Sequence, residues 1–406
     1  MGKALMVYSA SLSAIASGVE INLFGATTVT QTAEVNAQYS ATQEATFSLL
    51  GRNITSGGSG TNNCRFRESG ADGAMLASGA GTGVVEDAVN TDLVEAGNLF
   101  NLAITDDGTN PVYAWAKANV SFSSGHGCFH SCARYPGNVF DVASSTRFVS
   151  FSGKIQSDGT ATQANAEMKI YAYDTFAAMQ VRATANARTN DSVFGNSIDG
   201  SSGTASITFG AGVTGLITDT AIGDAITSGQ VVCGTVTLLT GVEDLTVTLV
   251  GATFTSSTNK SEVCLADTLG EARPASATAD YFPVGGGLES FGTFTDANAR
   301  VKVGFTATAS NLRCYLSANT YTVNGTLKLM VNGSAALTTT ITLLGGAGWY
   351  VNTSDTVALA ATDEISYEFD EGTTGDITLH TVMVTLEDTT SAATFKRFLT
   401  LLGAGS

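Results

Sequence analysis

Four residues with metal-binding side chains alternate along one short stretch of this chain: His126, Cys128, His130 and Cys132. Imidazole nitrogens and thiolates are ligands that zinc prefers. On an extended strand the four side chains would share one face at a spacing of about 7 Å, which is too wide for one tetrahedral ion. A curled loop would bring them together, and the glycines within the stretch permit a curl.

The sequence leaves three interpretations of this stretch open. The four residues could bind a metal ion, Cys128 or Cys132 could form a disulfide, or the segment could be a packed loop with neither role. Cys132 has a counterpart in Cys264, whereas the other three residues do not recur. Six cysteines in 406 residues are too few for a disulfide scaffold, so we expect free thiols in a protein made in the cytoplasm.

Catalytic arrangements are hard to assemble from the remaining residues. His380 shares strand parity with apolar neighbours, so we expect a structural role for it. No nucleophile-elbow motif and no His-Glu-x-x-His motif occurs. The two catalytic carboxylates of a glycosidase need not be close in sequence, so glycosidase activity stays open. Otherwise we expect no enzyme and no cofactor.

The elements that carry these residues repeat along the chain. Three landmarks stand 133 residues apart: Ala33-Glu34-Val35, Ala166-Glu167-Met168 and Ala299-Arg300-Val301. Further on, a glycine-alanine-glycine step recurs at Gly79-Ala80-Gly81, Gly210-Ala211-Gly212 and Gly346-Ala347-Gly348. Each step precedes an aspartate: Asp87, Asp219 or Asp355. Repetition in the same order predicts three structurally similar units.

The glycine and aspartate landmarks are best explained by backbone geometry. Glycine adopts a positive φ without cost, so we expect Gly81, Gly212 and Gly348 in equivalent sharp turns. We expect Asp87, Asp219 and Asp355 to accept backbone hydrogen bonds close by. A nucleotide-binding loop is excluded because no lysine stands at the required spacing, and a single aspartate per loop offers too few oxygens for calcium.

Composition and patterning predict an all-β protein. Glycine occurs 45 times and proline only 4 times. Residues 245–249 alternate apolar and polar side chains with period two, and residues 337–343 and 382–386 follow a similar pattern. We predict three tandem antiparallel jelly-roll-like β-sandwich domains. The expected bounds are 1–137 with an N-terminal arm, 138–270 and 271–390, with loop linkers at 123–137 and 256–272.

Charge and apolar patterning limit the partners. A formal net charge of −17 argues against a nucleic-acid groove. The sequence contains no run of 18 apolar residues, so we expect no membrane span. Residues 391–406 are too apolar for a free tail, so we expect them to dock on this chain or on a neighbouring subunit. The residues expected to mediate that assembly are Phe395, Phe398 and Leu401.

The third unit carries a family resemblance. Residues 322–333, 337–348 and 353–368 combine an asparagine-glycine hairpin, a glycine-rich turn and an aspartate step, and this pattern resembles one found in virion proteins of tailed bacteriophages. The resemblance implies a small jelly-roll sandwich and supplies no catalytic residue.

Two functions are therefore expected from this sequence. The first is a structural virion protein, such as a capsid decoration, tail or fibre component. It would be assembled in the host cytoplasm and would bind other virion subunits or further copies of itself. The alternative is a secreted or cell-surface adhesin or carbohydrate-binding array, with a host-surface glycan as its ligand.

Overall fold

The computed structural model describes residues 2–12, 20–23, 34–57, 60–106, 111–134, 139–142, 144–155, 158–241, 243–274, 279–287, 294–341, 346–370 and 375–390. Nearly all regular structure in these ranges is β-strand. The described helical elements are one short α-helix, α1 (Asp296–Ala299), and two 3-10 turns, at Glu34–Asn36 and Gln163–Ala166. The predicted all-β class is confirmed.

The strands of residues 4–122 form a first sandwich. They are β1 (Ala4–Leu12), β2 (Glu20–Leu23), β3 (Tyr39–Ser40), β4 (Ala45–Ser56), β5 (Thr61–Glu68), β6 (Ala71–Ala80), β7 (Gly83–Val94), β8 (Leu99–Asp106) and β9 (Val112–Phe122). One sheet, here named the inner sheet, has the order β1-β9-β4-β7. The other, the outer sheet, has the order β2-β8-β5-β6.

The strands of residues 126–256 form a second sandwich. They are β10 (His126–Arg134), β11 (Ser145–Val149), β12 (Gly153–Ile155), β13 (Met168–Lys169), β14 (Thr175–Asn186), β15 (Ser192–Ile198), β16 (Ser201–Phe209), β17 (Gly215–Asp219), β18 (Asp224–Ala225), β19 (Val231–Leu238) and β20 (Leu245–Ser256). Its inner strands have the order β10-β20-β14-β17 and its outer strands the order β11-β19-β15-β16.

The strands of residues 260–388 form a third sandwich. They are β21 (Lys260–Pro274), β22 (Asp280–Phe282), β23 (Gly286–Gly287), β24 (Val301–Lys302), β25 (Ala307–Asn319), β26 (Gly325–Val331), β27 (Ser334–Ile341), β28 (Gly348–Leu359), β29 (Glu364–Asp370) and β30 (Asp376–Asp388). The inner order is β21-β30-β25-β28 and the outer order is β22-β29-β26-β27.

All three sandwiches have one topology. When the eight main strands of a sandwich are counted in chain order, the inner sheet reads 1-8-3-6 and the outer sheet reads 2-7-4-5. This is the arrangement of a jelly roll. The inner sheets of the second and third sandwiches are joined by β12, which runs parallel to both β10 and β21, so the described strands include one continuous 11-stranded sheet.

The linkers expected at 123–137 and 256–272 are wrong. Strand β10 lies in the first of these segments and pairs with β20, and β21 lies in the second and pairs with β30. Each is therefore the first strand of the following sandwich. Their sequences do not alternate because both faces of these strands are largely covered. The domain boundaries at 137 and 270 stay predictions.

The N-terminal arm is also a strand of a sandwich. Residues Ala4–Leu12 form β1, which pairs with β9 at the edge of the first inner sheet. The C-terminal residues 391–406, including Phe395, Phe398 and Leu401, lie outside the described residues.

The hydrophobic core extends across sandwich boundaries. One cluster of buried side chains contains residues of both the first and the second sandwich. A second cluster fills the third sandwich and includes Leu5, Ala114 and Trp115 of the first. The three sandwiches therefore share buried apolar surface.

Candidate functional site

Each sandwich extends one segment onto the inner sheet of another sandwich. These crossover segments, residues 34–42, 162–172 and 295–304, join the second and third main strands of their sandwiches. Each holds a short helical turn followed by a two-residue strand, β3, β13 or β24. Each two-residue strand pairs with the seventh main strand of its own sandwich, which fixes the segment at the sandwich edge.

The third sandwich contacts the first through its crossover segment. The buried Lys117 Nζ donates to the Lys302 carbonyl at 2.7 Å, and Asn119 Nδ2 donates to the Val303 carbonyl at 3.1 Å. Glu86 forms ion pairs with both amines, Lys117 at 2.8 Å and Lys302 at 2.7 Å. Burial lowers the pKa of Lys117, and Glu86 opposes that shift.

The first sandwich contacts the second in the same way with neutral groups. Gln180 Oε1 accepts the Ser40 N–H at 2.8 Å, and Gln180 Nε2 donates to the Ser40 carbonyl at 2.9 Å. The hydroxyls of Thr42 and Thr253 lie 2.7 Å apart. Thr248 Oγ1 donates to the Asn36 carbonyl at 2.9 Å.

The second sandwich contacts the third through charged groups. Arg313 Nε donates to the Lys169 carbonyl at 2.7 Å, and Arg313 forms a 2.7 Å ion pair with Glu262. Both side chains of this pair have an exposed fraction of 0%. Glu262 Oε1 also accepts the backbone N–H groups of Tyr171 at 2.7 Å and Ala172 at 2.8 Å.

These three contacts are equivalent. Ser40, Lys169 and Lys302 each end the two-residue strand of a crossover segment, and the carbonyl of each accepts from one long polar side chain on an inner sheet. The contacts run from the third sandwich to the first, from the first to the second and from the second to the third. They are head-to-tail contacts that close into a ring within one chain.

The beginnings of the first strands of the three sandwiches lie close to one another. Gly2 N donates to His126 Nδ1 at 2.6 Å, and Lys3 N donates to Asp388 Oδ2 at 2.8 Å. Asn259 Nδ2 donates to the Asp388 carbonyl at 3.3 Å. The beginnings of β1, β10 and β21 therefore lie together, beside the end of β30.

The proposed metal ligands are packed on an extended strand. Strand β10 pairs with β20 without interruption from His126 to Ala133, so it does not curl. His130 Nε2 lies 2.8 Å from the Tyr173 hydroxyl, and Cys132 Sγ points to the Val250 carbonyl. Among the described residues no three His, Cys, Asp or Glu side chains are placed to share a metal ion. The strand holds the four side chains apart, so its geometry does not support the metal interpretation, which stays a prediction.

The disulfide interpretation of the same stretch is also not supported. All six cysteines are free and buried. Burial raises the pKa of Cys128 and of Cys64 to about 12, which keeps these thiols protonated and unreactive. Burial lowers the pKa of His130 to about 4, so its imidazole is neutral near pH 7.

The glycine landmarks lie in the turn between the fifth and sixth main strands. Gly81 has φ 79° and Gly212 has φ 71°, and in the third sandwich Gly346 has φ 74°. Gly348, with φ 147°, begins β28 just as Gly83 and Gly215 begin β7 and β17. The counterpart of Gly81 and Gly212 is therefore Gly346.

Two of the three aspartates cap the edge strand across that turn. Asp87 Oδ2 accepts the Leu76 N–H of β6 at 2.9 Å, and Asp219 Oδ2 accepts the Ser206 N–H of β16 at 3.0 Å. Burial raises the pKa of Asp87, but hydrogen bonds from Leu76, Asn90 and Val89 outweigh burial and lower it to about 2.

The third aspartate has a different position. Strand pairing places Asp87 opposite Leu50 and Asn352 opposite Leu312, so Asn352 is the counterpart of Asp87. The Asp355 carboxylate accepts from the Asn352 amide at 2.7 Å and the Ser354 hydroxyl at 3.3 Å. The described donors to the Asp355 carboxylate are side chains, because a three-residue shift separates this aspartate from the register position of Asp87. A backbone cap at Asp355 stays a prediction.

The third histidine is structural in its contacts. His380 Nδ1 lies 3.1 Å from the Asp267 carbonyl, and Nε2 lies 2.9 Å from the Ser317 hydroxyl. Burial lowers its pKa to about 4.

Sequence reasoning did not identify the side chains that hold the ring: Lys117, Gln180, Glu262 and Arg313. A signal was present in three of them. Each stands among apolar residues inside a strand, as in Ala116-Lys117-Ala118, Met179-Gln180-Val181 and Leu312-Arg313-Cys314. A buried polar residue within an apolar run requires a partner.

Comparisons with known proteins give limited information. No protein-family model matches the chain, and no curated protein matches its sequence. None of the helices in the described ranges is long and apolar enough to cross a membrane.

Three solved structures show weak structural similarity. One, described as the triple jelly roll fold and turret assembly of an archaeal virus, has 11% identity, a TM-score of 0.17 and coverage of 86% of this chain and 81% of that chain. A structure of infectious bursal disease virus Gx strain has 10% identity, a TM-score of 0.20 and coverage of 84% and 74%. A Paenibacillus xanthan lyase has 11% identity, a TM-score of 0.18 and coverage of 85% and 51%. These TM-scores do not establish a shared fold, so the jelly-roll assignment rests on strand order in this chain.

Proposed function

We propose that this protein is a structural component of a virion that acts through protein–protein surfaces. The observation that carries the proposal is the closed ring of three jelly rolls within one chain. Jelly rolls are used in viral capsids as well as in lectins and cupins, so the fold by itself is an analogy. The ring adds a building block in which three equivalent contacts, each from an inner-sheet side chain to a crossover carbonyl, join the jelly rolls.

The chemistry of the chain supports a role without catalysis. The three histidines lie in strands, and His130 and His380 are buried and hydrogen-bonded to neighbouring groups. The six cysteines are buried thiols. We therefore propose no enzymatic activity and no cofactor, and we propose other virion subunits or further copies of this chain as the partners. Capsid decoration and tail or fibre positions are both compatible with such a block.

Electron microscopy of the full chain expressed alone tests this proposal. We expect discrete multimers in which each chain contributes one three-lobed unit, because a protein that works by assembly presents surfaces for further copies. A chain that stays monomeric at all concentrations and also fails to bind purified virions would contradict it.

A second candidate function rests on one cleft. In the second sandwich, a cleft of about 400 Å³ is lined by hydroxyl, amide and leucine side chains: Ser144, Ser145, Thr146, Asn190, Thr237, Leu238, Leu239 and Thr240. Hydroxyl and amide groups can hydrogen-bond a glycan, so this cleft is the observation that favours the adhesin alternative. The lining lacks an aromatic ring, which a sugar would stack on, so we favour the virion role. Saturable binding on a glycan array, abolished by Asn190→Ala, would reverse that preference.

A further inference from the structure

One outer-sheet edge of the third sandwich lacks the capping aspartates that the other two sandwiches have. Strands β6, β16 and β27 are the terminal strands of the three outer sheets. An edge strand presents backbone N–H and C=O groups that can pair with another chain unless they are blocked. The first and second sandwiches block them with aspartates of the following strands.

The blocking is repeated at two positions in each of these sandwiches. Besides Asp87 and Asp219, Asp92 accepts the N–H groups of Ala74 at 2.6 Å and Met75 at 2.9 Å. Asp224 accepts the Thr204 N–H at 2.8 Å. Four carboxylates therefore occupy donors along β6 and β16.

The third sandwich lacks both acceptors. Asn352 stands at the position of Asp87, and Val357, opposite Ala309, stands where Asp92 stands opposite Phe47. The Asn352 amide donates to the Thr338 carbonyl at 2.7 Å. Thr338 pairs with Lys328 as Leu76 pairs with Arg65, so its N–H faces outward too, and no described side chain accepts from it.

We propose that the outer edge of β27 binds residues 395–402 of a second copy by strand addition. The inference rests on the proposed assembly role and names the contact that serves it. Backbone pairing supplies the affinity in such contacts, and the outward N–H groups of β27 are the available donors.

Length and composition favour this occupant. Strand β27 has 8 residues, and the segment Phe395-Lys396-Arg397-Phe398-Leu399-Thr400-Leu401-Leu402 has the same number and is rich in residues that suit strands. The described chain reaches residue 390 in the inner sheet of the third sandwich, whereas β27 lies in the outer sheet. We therefore assign the tail to the edge of a neighbour.

Charge also favours this occupant. In a chain of net charge −17, residues 391–406 carry Lys396 and Arg397 and no acidic side chain. Asp355 is exposed beside the open edge, next to Asn352, and forms no ion pair with any described residue. A strand added to β27 brings the two cations of the tail close to this carboxylate.

Sedimentation velocity of the full chain over a concentration series tests the proposal. Asn352→Asp restores the acceptor found in the other sandwiches, and Phe398→Asp disrupts the tail. We expect each to weaken self-association about tenfold or more, the equivalent of one lost hydrogen bond or apolar contact. Thr356→Asp, which adds the same charge on the same strand, is the matched control and should associate like the wild-type chain.

The outcomes are separable. Wild-type association of Asn352→Asp, with a wild-type melting curve, would overturn the role of the β27 edge. Weakening by Asn352→Asp alone, with Phe398→Asp unchanged, would assign the edge to a different segment. Unchanged association with lower melting temperatures for both variants would show that the tail binds its own chain. If the chain is found in virions while any of these results holds, the assembly role stands and only this contact is wrong.

Discussion

Two contacts of the ring have the same geometry and different chemistry. Between the first and second sandwiches, the neutral Gln180 bonds Ser40, and Phe129 of β10 packs against Phe47 and Phe100 of the first sandwich at ring-centroid distances of 6.4 and 5.4 Å. Between the second and third sandwiches, the corresponding position holds a fully buried Arg313–Glu262 ion pair.

The comparison shows that the contacts share the position of the accepting carbonyl and differ in the chemistry of the donating side chain. In every contact a long polar side chain donates to one crossover carbonyl. An amide cannot replace an arginine opposite Glu262, and an arginine beside Ser40 would be buried without a carboxylate. Such mismatches disfavour exchange of sandwiches, which is one documented use of buried polar groups. The following changes test how far the two contacts differ.

The largest effect is expected at the charged contact. Arg313→Met leaves the Glu262 carboxylate buried without its cation, which should lower the free energy of unfolding by about 3–5 kcal/mol. Denaturant unfolding of the full chain measures the change. The double variant Arg313→Met/Glu262→Gln should recover part of it, and an equal loss in both variants would show that shape and not charge holds this contact.

The second-largest effect is expected from acid, which should destabilise the region around Glu262. His130 Nε2 lies 2.8 Å from the Tyr173 hydroxyl, which accepts the Glu262 N–H at 2.9 Å, and His380 Nδ1 lies 3.1 Å from the Asp267 carbonyl. The pKa of each histidine is lowered to about 4, against about 6.5 in an unfolded chain. Because the unfolded state binds more protons between these values, stability is complete above pH 6.5 and is lost as the pH falls toward 4.

The expected loss is about 3 kcal/mol per histidine. Unfolding measured at a series of pH values checks it, and His130→Gln should flatten the slope between pH 6.5 and 4. A pH profile that this variant leaves unchanged would remove His130 from the explanation.

The neutral contact should respond less. Gln180→Ala leaves the Ser40 N–H and carbonyl without their partner at a partly buried position, at a cost of about 1–3 kcal/mol. The same variant should show the pH profile of the parent chain, because no titratable group is removed. A larger loss than that of Arg313→Met would invert the comparison.

The smallest effect concerns the edge aspartates. Asp219→Ala frees the Ser206 N–H and should cost about 1 kcal/mol. Asp355→Ala should cost less, because its exposed carboxylate bonds only side-chain donors and the N–H of neighbouring residues is held by Asn352. Thermal melts of the two variants make this comparison, and equal losses would contradict the difference in their positions.

The sequence by itself determined the strands and their repetition. Period-two alternation located strands within β20, β27 and β30. Local patterning succeeds in β20 and β27 because buried and less buried side chains alternate along residues 245–249 and 337–341, whereas residues 382–386 of β30 are buried throughout.

The sequence failed where a strand is covered on both sides or where register matters. Most described side chains on both faces of β10 and β21 are buried, so apolar and polar residues do not alternate along these strands. For that reason their sequences resembled linkers. Within β10, the alternating His126, Cys128, His130 and Cys132 consequently resembled a set of metal ligands. The first interval between units is also shorter than the 133 residues of the landmarks, since β3 begins at Tyr39 and β13 at Met168, 129 residues apart.

Only the tertiary structure decided what the buried polar residues do. Lys117, Gln180 and Arg313 stand on different strands or oppose different partners, so no spacing in the sequence connects them. Their common role appears when each is seen to reach the carbonyl that ends a crossover segment of another sandwich. The physical reason is that closure of the ring depends on contacts between residues far apart in the chain, such as Gln180 and Ser40, which are 140 residues apart, and local propensity carries no information about them.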